Sequence, residues 1–131
     1  HELLPHPGDS LAIIGQSDLV GAPLANFFVQ RGCTVFSTNA TTPNLRDLTQ
    51  KSDFLISCTG QIELIDETFL RPSHDQILVD VGFGHRDGKP LGDLNQTKIQ
   101  NSCRAFSPVP GGVGPLTIAC LFANALRLPI D

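Results

Sequence analysis

Short apolar runs that end at or near a glycine constrain the fold of this chain more than any other feature. Leu11-Ala12-Ile13-Ile14 stops at Gly15, Asp53-Phe54-Leu55-Ile56-Ser57 breaks at Gly60, and Ile77-Leu78-Val79-Asp80-Val81 stops at Gly82. A strand with one wet face alternates apolar and polar residues, whereas a strand covered on both faces reads as a continuous apolar run. Thr34-Val35-Phe36-Ser37 and the weaker Arg104-Ala105-Phe106 complete the set of predicted strands. Helical spacing fills the gaps. Gly21 to Arg31 carries Leu24, Ala25, Phe27 and Phe28, tolerates Pro23 in its first turn, and stops at Gly32. Pro43 to Lys51 has Leu45 and Leu48 at i, i+3, and Asp66 to Leu70 reads as a helical turn before Pro72. His85 to Pro90 reads as a polar turn around Asp87-Gly88, and Leu116 to Leu128 as a closing helix with an apolar, Ala-rich face. Strands alternating with helices across short connections predict a single α/β domain, a Rossmann-like parallel sheet with right-handed crossovers and helices on both faces. Residues 1–10, with Pro5, Pro7 and Gly8, form a lead-in segment, and residues 11–131 form the domain.

In an open parallel sheet, ligands bind beyond the carboxyl ends of the strands. Here those ends hold Gly15-Gln16-Ser17, Thr38-Asn39, Thr59-Gly60-Gln61, Gly82-Phe83 and the loop from Pro110 to Pro115. The turn from Gly15 to Gly21 departs from G-x-G-x-x-G, with Ser17 at the second glycine and the last glycine one residue late. Its mechanics survive the change: Gly15 makes the sharp turn, the helix N-terminus attracts phosphate, and the Ser17 hydroxyl can donate to it. A plain strand-to-helix turn accounts for the same residues, so this signal alone leaves both readings open. After the second strand stand Ser37, Thr38 and Asn39, without the acidic residue typical of an NAD site. Gln16, Ala40 and Thr41 stand where an Arg for a 2′-phosphate is usual, so NAD and NADP both remain open.

The string from Ser107 to Thr117, SPVPGGVGPLT, packs three prolines and three glycines between Pro108 and Pro115. Proline fixes φ and glycine allows close backbone approach, so this is a shaped turn with bare backbone on its surface.

Bulk properties narrow the function. The net charge is −4 and the nine basic residues are scattered, which argues against a nucleic-acid surface. No long apolar stretch predicts a membrane span, and no secretory signal pattern opens the chain. Cys33, Cys58, Cys103 and Cys120 are widely spaced among apolar neighbours and read as small buried thiols in a reduced, cytoplasmic protein, with no metal site. The glycosylation-like triplets at Asn39 and Asn95 are of a kind common by chance. The chain has no Met, Tyr or Trp, which fits a piece of a longer protein or one whose start is missing.

Taken together, these motifs resemble the cofactor-binding domain of the methylenetetrahydrofolate dehydrogenase/cyclohydrolase family. The G-R-S-x-x-V-G turn of that family is matched by Gly15, Ser17, Val20 and Gly21. Its D-V-G, D-G-K and G-D motifs are matched by Asp80-Val81-Gly82, Asp87-Gly88-Lys89 and Gly92-Asp93, and its P-V-P-G-G-V-G-P-M-T by Pro108 to Thr117 with Leu116 for Met. The resemblance covers nearly the whole chain from Leu11. It implies an NADP- or NAD-binding domain set against an N-terminal folate-binding domain that this chain lacks, and a possible homodimer. By the same resemblance, Gly15, Gln16 and Ser17 face the adenosine and pyrophosphate, and Thr59 and Gly60 line the ribose and nicotinamide path. Val81, Gly82 and Phe83 hold the nicotinamide, while Gly112, Val113, Gly114, Pro115 and Thr117 close the site beside the folate.

The implied reaction is hydride transfer from 5,10-methylene-tetrahydrofolate to the cofactor, followed by hydrolysis of the methenyl bridge. The family's hydrolytic lysine and tyrosine lie in the N-terminal domain, so this chain is expected to be inactive alone and to carry no catalytic residue. Asp80 is the nearest candidate, but a strand-end carboxylate bonding nearby backbone N–H groups is the better account of it. His85 reads as an exposed turn residue. Gln16 replaces the family's Arg, Ala40 falls where a 2′-phosphate-binding Ser is often found, and Gly84-His85 replaces an Asn-Arg pair. The competing readings are a free-standing, non-catalytic dinucleotide-binding module and a shikimate-dehydrogenase-like domain; the Pro108–Thr117 string argues against the second.

Overall fold

Leu11, Ala12, Ile13 and Ile14 are completely buried because β1 (Ser10–Ile14) lies between two parallel neighbours and under both layers. A computed structural model describes residues 3–127. In chain order it contains β1, α1 (Gly21–Gln30), β2 (Thr34–Thr38), α2 (Leu45–Lys51), β3 (Phe54–Ser57), a 3-10 turn (Glu67–Phe69), β4 (Ile77–Asp80), β5 (Gly84–Arg86), β6 (Lys89–Leu91), α3 (Gln96–Ile99), β7 (Ala105–Phe106) and α4 (Val113–Leu126). The main sheet runs β2-β1-β3-β4-β7, all parallel. This is the dinucleotide-fold order with its outer strand left out, and it places the topological switch between β1 and β3.

Successive side chains of a strand point to opposite faces, and the core divides accordingly. Leu11 and Ile13 join Cys33, Phe54 and Ile56, with Leu24, Ala25 and Phe28 of α1 packed on them. Ala12 and Ile14 join Leu45 of α2 with Leu55, Leu78, Phe69 and Ile99 on the other face. The predicted helices on both faces are therefore present. Close packing at the first turn needs Gly21, where a Cβ would stand 1.8 Å from the Gly15 carbonyl oxygen.

Two elements escaped the sequence reading. The polar turn at Asp87-Gly88 closes a small antiparallel hairpin of β5 and β6. Asp87 and Gly88 have φ of 52° and 74°, the left-handed pair that a two-residue hairpin turn demands. The strands were missed because GHR and KPL carry no apolar pattern. The single turn of α3 is capped by the Asn95 side chain, which accepts from the Lys98 N–H, and was too short for periodicity to reveal.

Boundaries also shift. β1 begins at Ser10, inside the lead-in segment, because its N–H and hydroxyl both donate to Asp53. Gly8 N–H donates to the Gly32 carbonyl, which pins that segment beside the end of α1. Of the four cysteines only Cys33 is buried; Cys58, Cys103 and Cys120 are half-buried, which corrects the expectation of four buried thiols. The closing helix starts at Val113 rather than Leu116, and its predicted end at Leu128 lies outside the described residues. α4 has no buried residue, and Leu116, Ile118, Leu121 and Phe122 are exposed on it.

Burial at the sheet and exposure on α4 predict unequal costs. Leu55→Ala should lower unfolding stability by about 2–5 kcal/mol through lost transfer energy and a residual cavity. Leu121→Ala should cost less than about 0.5 kcal/mol. Urea titration of the two variants measures both, and equal losses would contradict the exposed position of α4.

Candidate functional site at the carboxyl edge of the sheet

The ladder hydrogen bonds continue one residue past the strands and so fix the loops that leave them. Gly15 N–H donates to the Thr38 carbonyl, Cys58 N–H to Ile14, and Val81 N–H to Ser57, each at 2.8 Å. These loops carry the segments singled out from the sequence. Gly15, Gln16 and Ser17 follow β1, Thr59 and Gly60 follow β3, and Val81, Gly82 and Phe83 follow β4. The turn after β1 delivers the chain into α1, where Val20 N–H donates to the Ser17 hydroxyl at 3.3 Å. No acidic residue occupies the first turn of α1, so the positive end of its dipole is not offset there.

A cleft of about 580 Å³ opens beyond β4. Its walls are Val81, Gly82 and Phe83 on one side and the loop from Pro108 to Pro115 with Thr117 on the other. The structure thus brings Val81, Gly82, Phe83, Gly112, Val113, Gly114, Pro115 and Thr117 together around one space. Gly15, Gln16, Ser17, Thr59 and Gly60 do not line it; they form the neighbouring edge, at the switch between β1 and β3. Val20, quoted from the sequence only as part of a motif, and Ile118, not singled out there, also line the cleft. The Pro/Gly loop holds a cis peptide at Val109-Pro110 and is anchored by Gln96, whose amide donates to the Val109 carbonyl at 2.7 Å. The Thr117 hydroxyl donates back to the Val113 carbonyl of its own helix.

Beneath the cleft lie two buried carboxylates. Asp80, at the end of β4, accepts from the N–H groups of Gly82, Asp93 and Leu94 at 2.9, 3.0 and 2.9 Å. This is the structural role the sequence favoured for it. Asp93 has no exposed surface. One of its oxygens accepts from the Ser57 hydroxyl at 2.7 Å and from the N–H and hydroxyl of Thr59 at 2.7 and 2.8 Å. The sequence reading quoted Gly92-Asp93 as part of a motif but gave Asp93 no role. Its signal was an acidic residue after a glycine in a buried setting, which only the fold reveals. A Cβ at Gly82 would stand 1.9 Å from Asp93 Oδ1, and one at Gly92 2.0 Å from Asp80 Oδ2. The glycines are there because the carboxylates fill the space.

Burial pushes the Asp80 carboxyl above the usual carboxylate range, against the pull of its three N–H donors, and the Asp93 charge adds to the rise. Burial likewise raises the Cys58 thiol, again helped by Asp93. Phe83 is exposed and meets the His85 ring edge-on at 5.0 Å. His85 is exposed, as expected, but sits in β5 rather than in the turn. At the far edge, Gln16 reaches across to β2 and Asn39 through uncharged hydrogen bonds.

Comparison with known proteins agrees with this geometry. The family model described as tetrahydrofolate dehydrogenase/cyclohydrolase, NAD(P)-binding domain, matches residues 2–129. The bifunctional protein FolD of Lactobacillus helveticus is 38% identical over 128 residues, covering 98% of this chain and 45% of that protein. FolD of Lactobacillus gasseri is 40% identical over 121 residues, covering 92% of this chain and 42% of that protein. Among solved structures, the bifunctional FolD dehydrogenase/cyclohydrolase from Campylobacter jejuni superimposes with a TM-score of 0.86 at 34% identity, covering 92% of this chain and 43% of that one. The Trypanosoma brucei enzyme, solved with NADP cofactor and an inhibitor, gives 0.84 at 26% identity, covering 94% and 44%. The chain therefore spans less than half the length of the relatives it matches.

The raised Asp80 carboxyl predicts a pH dependence. The folded group holds its proton to higher pH than the unfolded one, near 3.9. Its contribution to stability is therefore full below about pH 4 and is lost as pH rises through the folded value. The stability of the native chain relative to Asp80→Asn should fall as pH rises above about 4. Urea midpoints across that range test this, and a constant difference would contradict it.

Proposed function

The chain belongs to the tetrahydrofolate dehydrogenase/cyclohydrolase family as its NAD(P)-binding domain, and from that membership we propose that it binds NAD(P) along the carboxyl edge of its sheet. One observation carries the reading: the turn into α1, the Thr59-Gly60 loop and the cleft between β4 and the Pro/Gly loop are neighbours along that edge. A dinucleotide needs such a continuous path across a topological switch point.

The residues fit such a ligand. Gly15, Gln16 and Ser17 take the adenosine and pyrophosphate side, where the N-terminus of α1 favours negative charge. Thr59 and Gly60 line the ribose path. Val81, Gly82 and Phe83 form one wall for the nicotinamide, in a mainly apolar cleft. Gly112, Val113, Gly114, Pro115 and Thr117 form the opposite wall, on the side from which a folate would approach. When bound, oxidised NAD(P) would supply the acceptor for the hydride that leaves a methylene-tetrahydrofolate.

The chain's own contribution is positioning and exclusion of water. Asp80 reaches the cleft wall, but its oxygens are engaged by three backbone N–H groups, which leaves it poorly suited to proton transfer. The acid–base groups for methenyl hydrolysis therefore come from the folate-binding remainder of the protein. The exposed apolar side chains of α4 support a contact with that remainder. Four free cysteines favour a reducing, cytoplasmic setting, and the family resemblance favours a homodimer.

Calorimetric titration of this chain with NAD and with NADP tests the reading. Saturable binding of at least one, with Kd between about 1 μM and 1 mM, is expected. The chain alone should leave methylene-tetrahydrofolate unoxidised in the presence of either cofactor. Absence of binding by both would overturn the proposal.

A further inference from the structure

At the end of β2, where a Rossmann-type site discriminates between free and phosphorylated ribose, this chain presents a closed network of neutral groups. The Gln16 amide nitrogen donates to the Ser37 carbonyl at 3.1 Å and lies 3.4 Å from the Ser37 hydroxyl. The Gln16 oxygen accepts from the Asn39 amide at 3.0 Å. The Asn39 oxygen in turn accepts from the N–H and hydroxyl of Thr41 at 3.0 and 2.7 Å. The Asn39 N–H is tied to the Thr42 hydroxyl at 2.9 Å. The turn after β1 and the loop after β2 are thus stitched together without a formal charge.

The nearest basic side chain in sequence is committed elsewhere. Arg46 donates to the Thr68 hydroxyl and stacks 4.6 Å over the Phe69 ring. Arg71 pairs with Asp53 and Asp75, Arg86 with Glu63, and Lys98 with Asp66. A phosphate monoester brings between one and two negative charges and three acceptor oxygens. It is held well only by cations or several free donors. A hydroxyl both donates and accepts, so it can join an amide network of this kind without an uncompensated charge. The chain's net charge of −4 adds to the bias.

We infer that Gln16 and Asn39 make this a site for a dinucleotide whose adenosine ribose carries a free 2′-hydroxyl, so that NAD is preferred over NADP. The inference rests on the NAD(P)-binding reading and sharpens it. It sets this chain apart from the Trypanosoma brucei relative that was solved with NADP. Gln16 and Asn39 act here as specificity residues, remote from the nicotinamide.

The test is calorimetry on the chain with NAD and NADP at about 150 mM salt, a condition that leaves adjacent charges only partly screened. NAD should bind about tenfold tighter or more. Gln16→Arg should shift the NAD-to-NADP affinity ratio toward NADP by about tenfold or more. That gain should shrink as salt is raised, as a new phosphate–guanidinium contact requires. Asn39→Asp, which adds a carboxylate at the same edge, should shift the ratio the other way. Both side chains are exposed, so folding of the variants is checked by their unchanged thermal midpoints. NADP binding as tightly as NAD to the native chain, or a ratio unmoved by Gln16→Arg, would overturn the inference while leaving cofactor binding intact. Failure of both cofactors to bind would overturn the inference and the reading beneath it together.

Discussion

Two buried carboxylates hold the carboxyl edge of this sheet in shape. Asp80 gathers the N–H groups of Gly82, Asp93 and Leu94, and Asp93 gathers Ser57 and Thr59. Through them β3, β4 and the turn at Gly92-Asp93-Leu94 become one unit. Removing a charge from water is expensive, and three accepted hydrogen bonds per carboxylate offset part of the cost, although Asp93 Oδ1 is buried without a partner. The geometry also dictates its neighbours. Gly82 and Gly92 have no room for a Cβ, so two glycines of the motif are steric consequences of two aspartates.

The rest of the site depends on this unit. Thr59 is held by its N–H and hydroxyl, which fixes the loop after β3. Gly82 is held by its N–H, which fixes one wall of the cleft. The opposite wall is stiffened differently, by proline and by the Gln96 tether to Val109. A cleft with walls locked in advance loses little entropy on binding, which is the physical case for a site that works by positioning.

The far end of the edge follows another logic. Gln16, Ser37, Asn39 and Thr41 are exposed and uncharged, and in the proposed reading their hydrogen bonds set which ribose the site accepts. α4 presents a third kind of surface. Leu116, Ile118, Leu121 and Phe122 stand in solvent, on a helix that starts at the cleft wall. That apolar face adjoins the cleft, and the relatives are more than twice as long as this chain.

The sequence by itself determined the parallel α/β architecture, because runs such as Leu11–Ile14 are apolar without alternation and have no stable home outside a doubly covered sheet. It also determined which loops meet at the carboxyl edge, since every strand of a parallel sheet ends on the same side. Turn chemistry placed Asp87-Gly88, but the hairpin around it stayed hidden, as strands of three residues are too short to show a period. Only the tertiary structure decided the role of Asp93, the separation of the cleft from the Gly15–Ser17 turn, and the network joining Gln16 to Asn39. Those features rest on contacts between residues 23 to 36 positions apart. Local propensity and hydrophobic period report on near neighbours and on faces, and they are silent about which polar group a buried carboxylate will find.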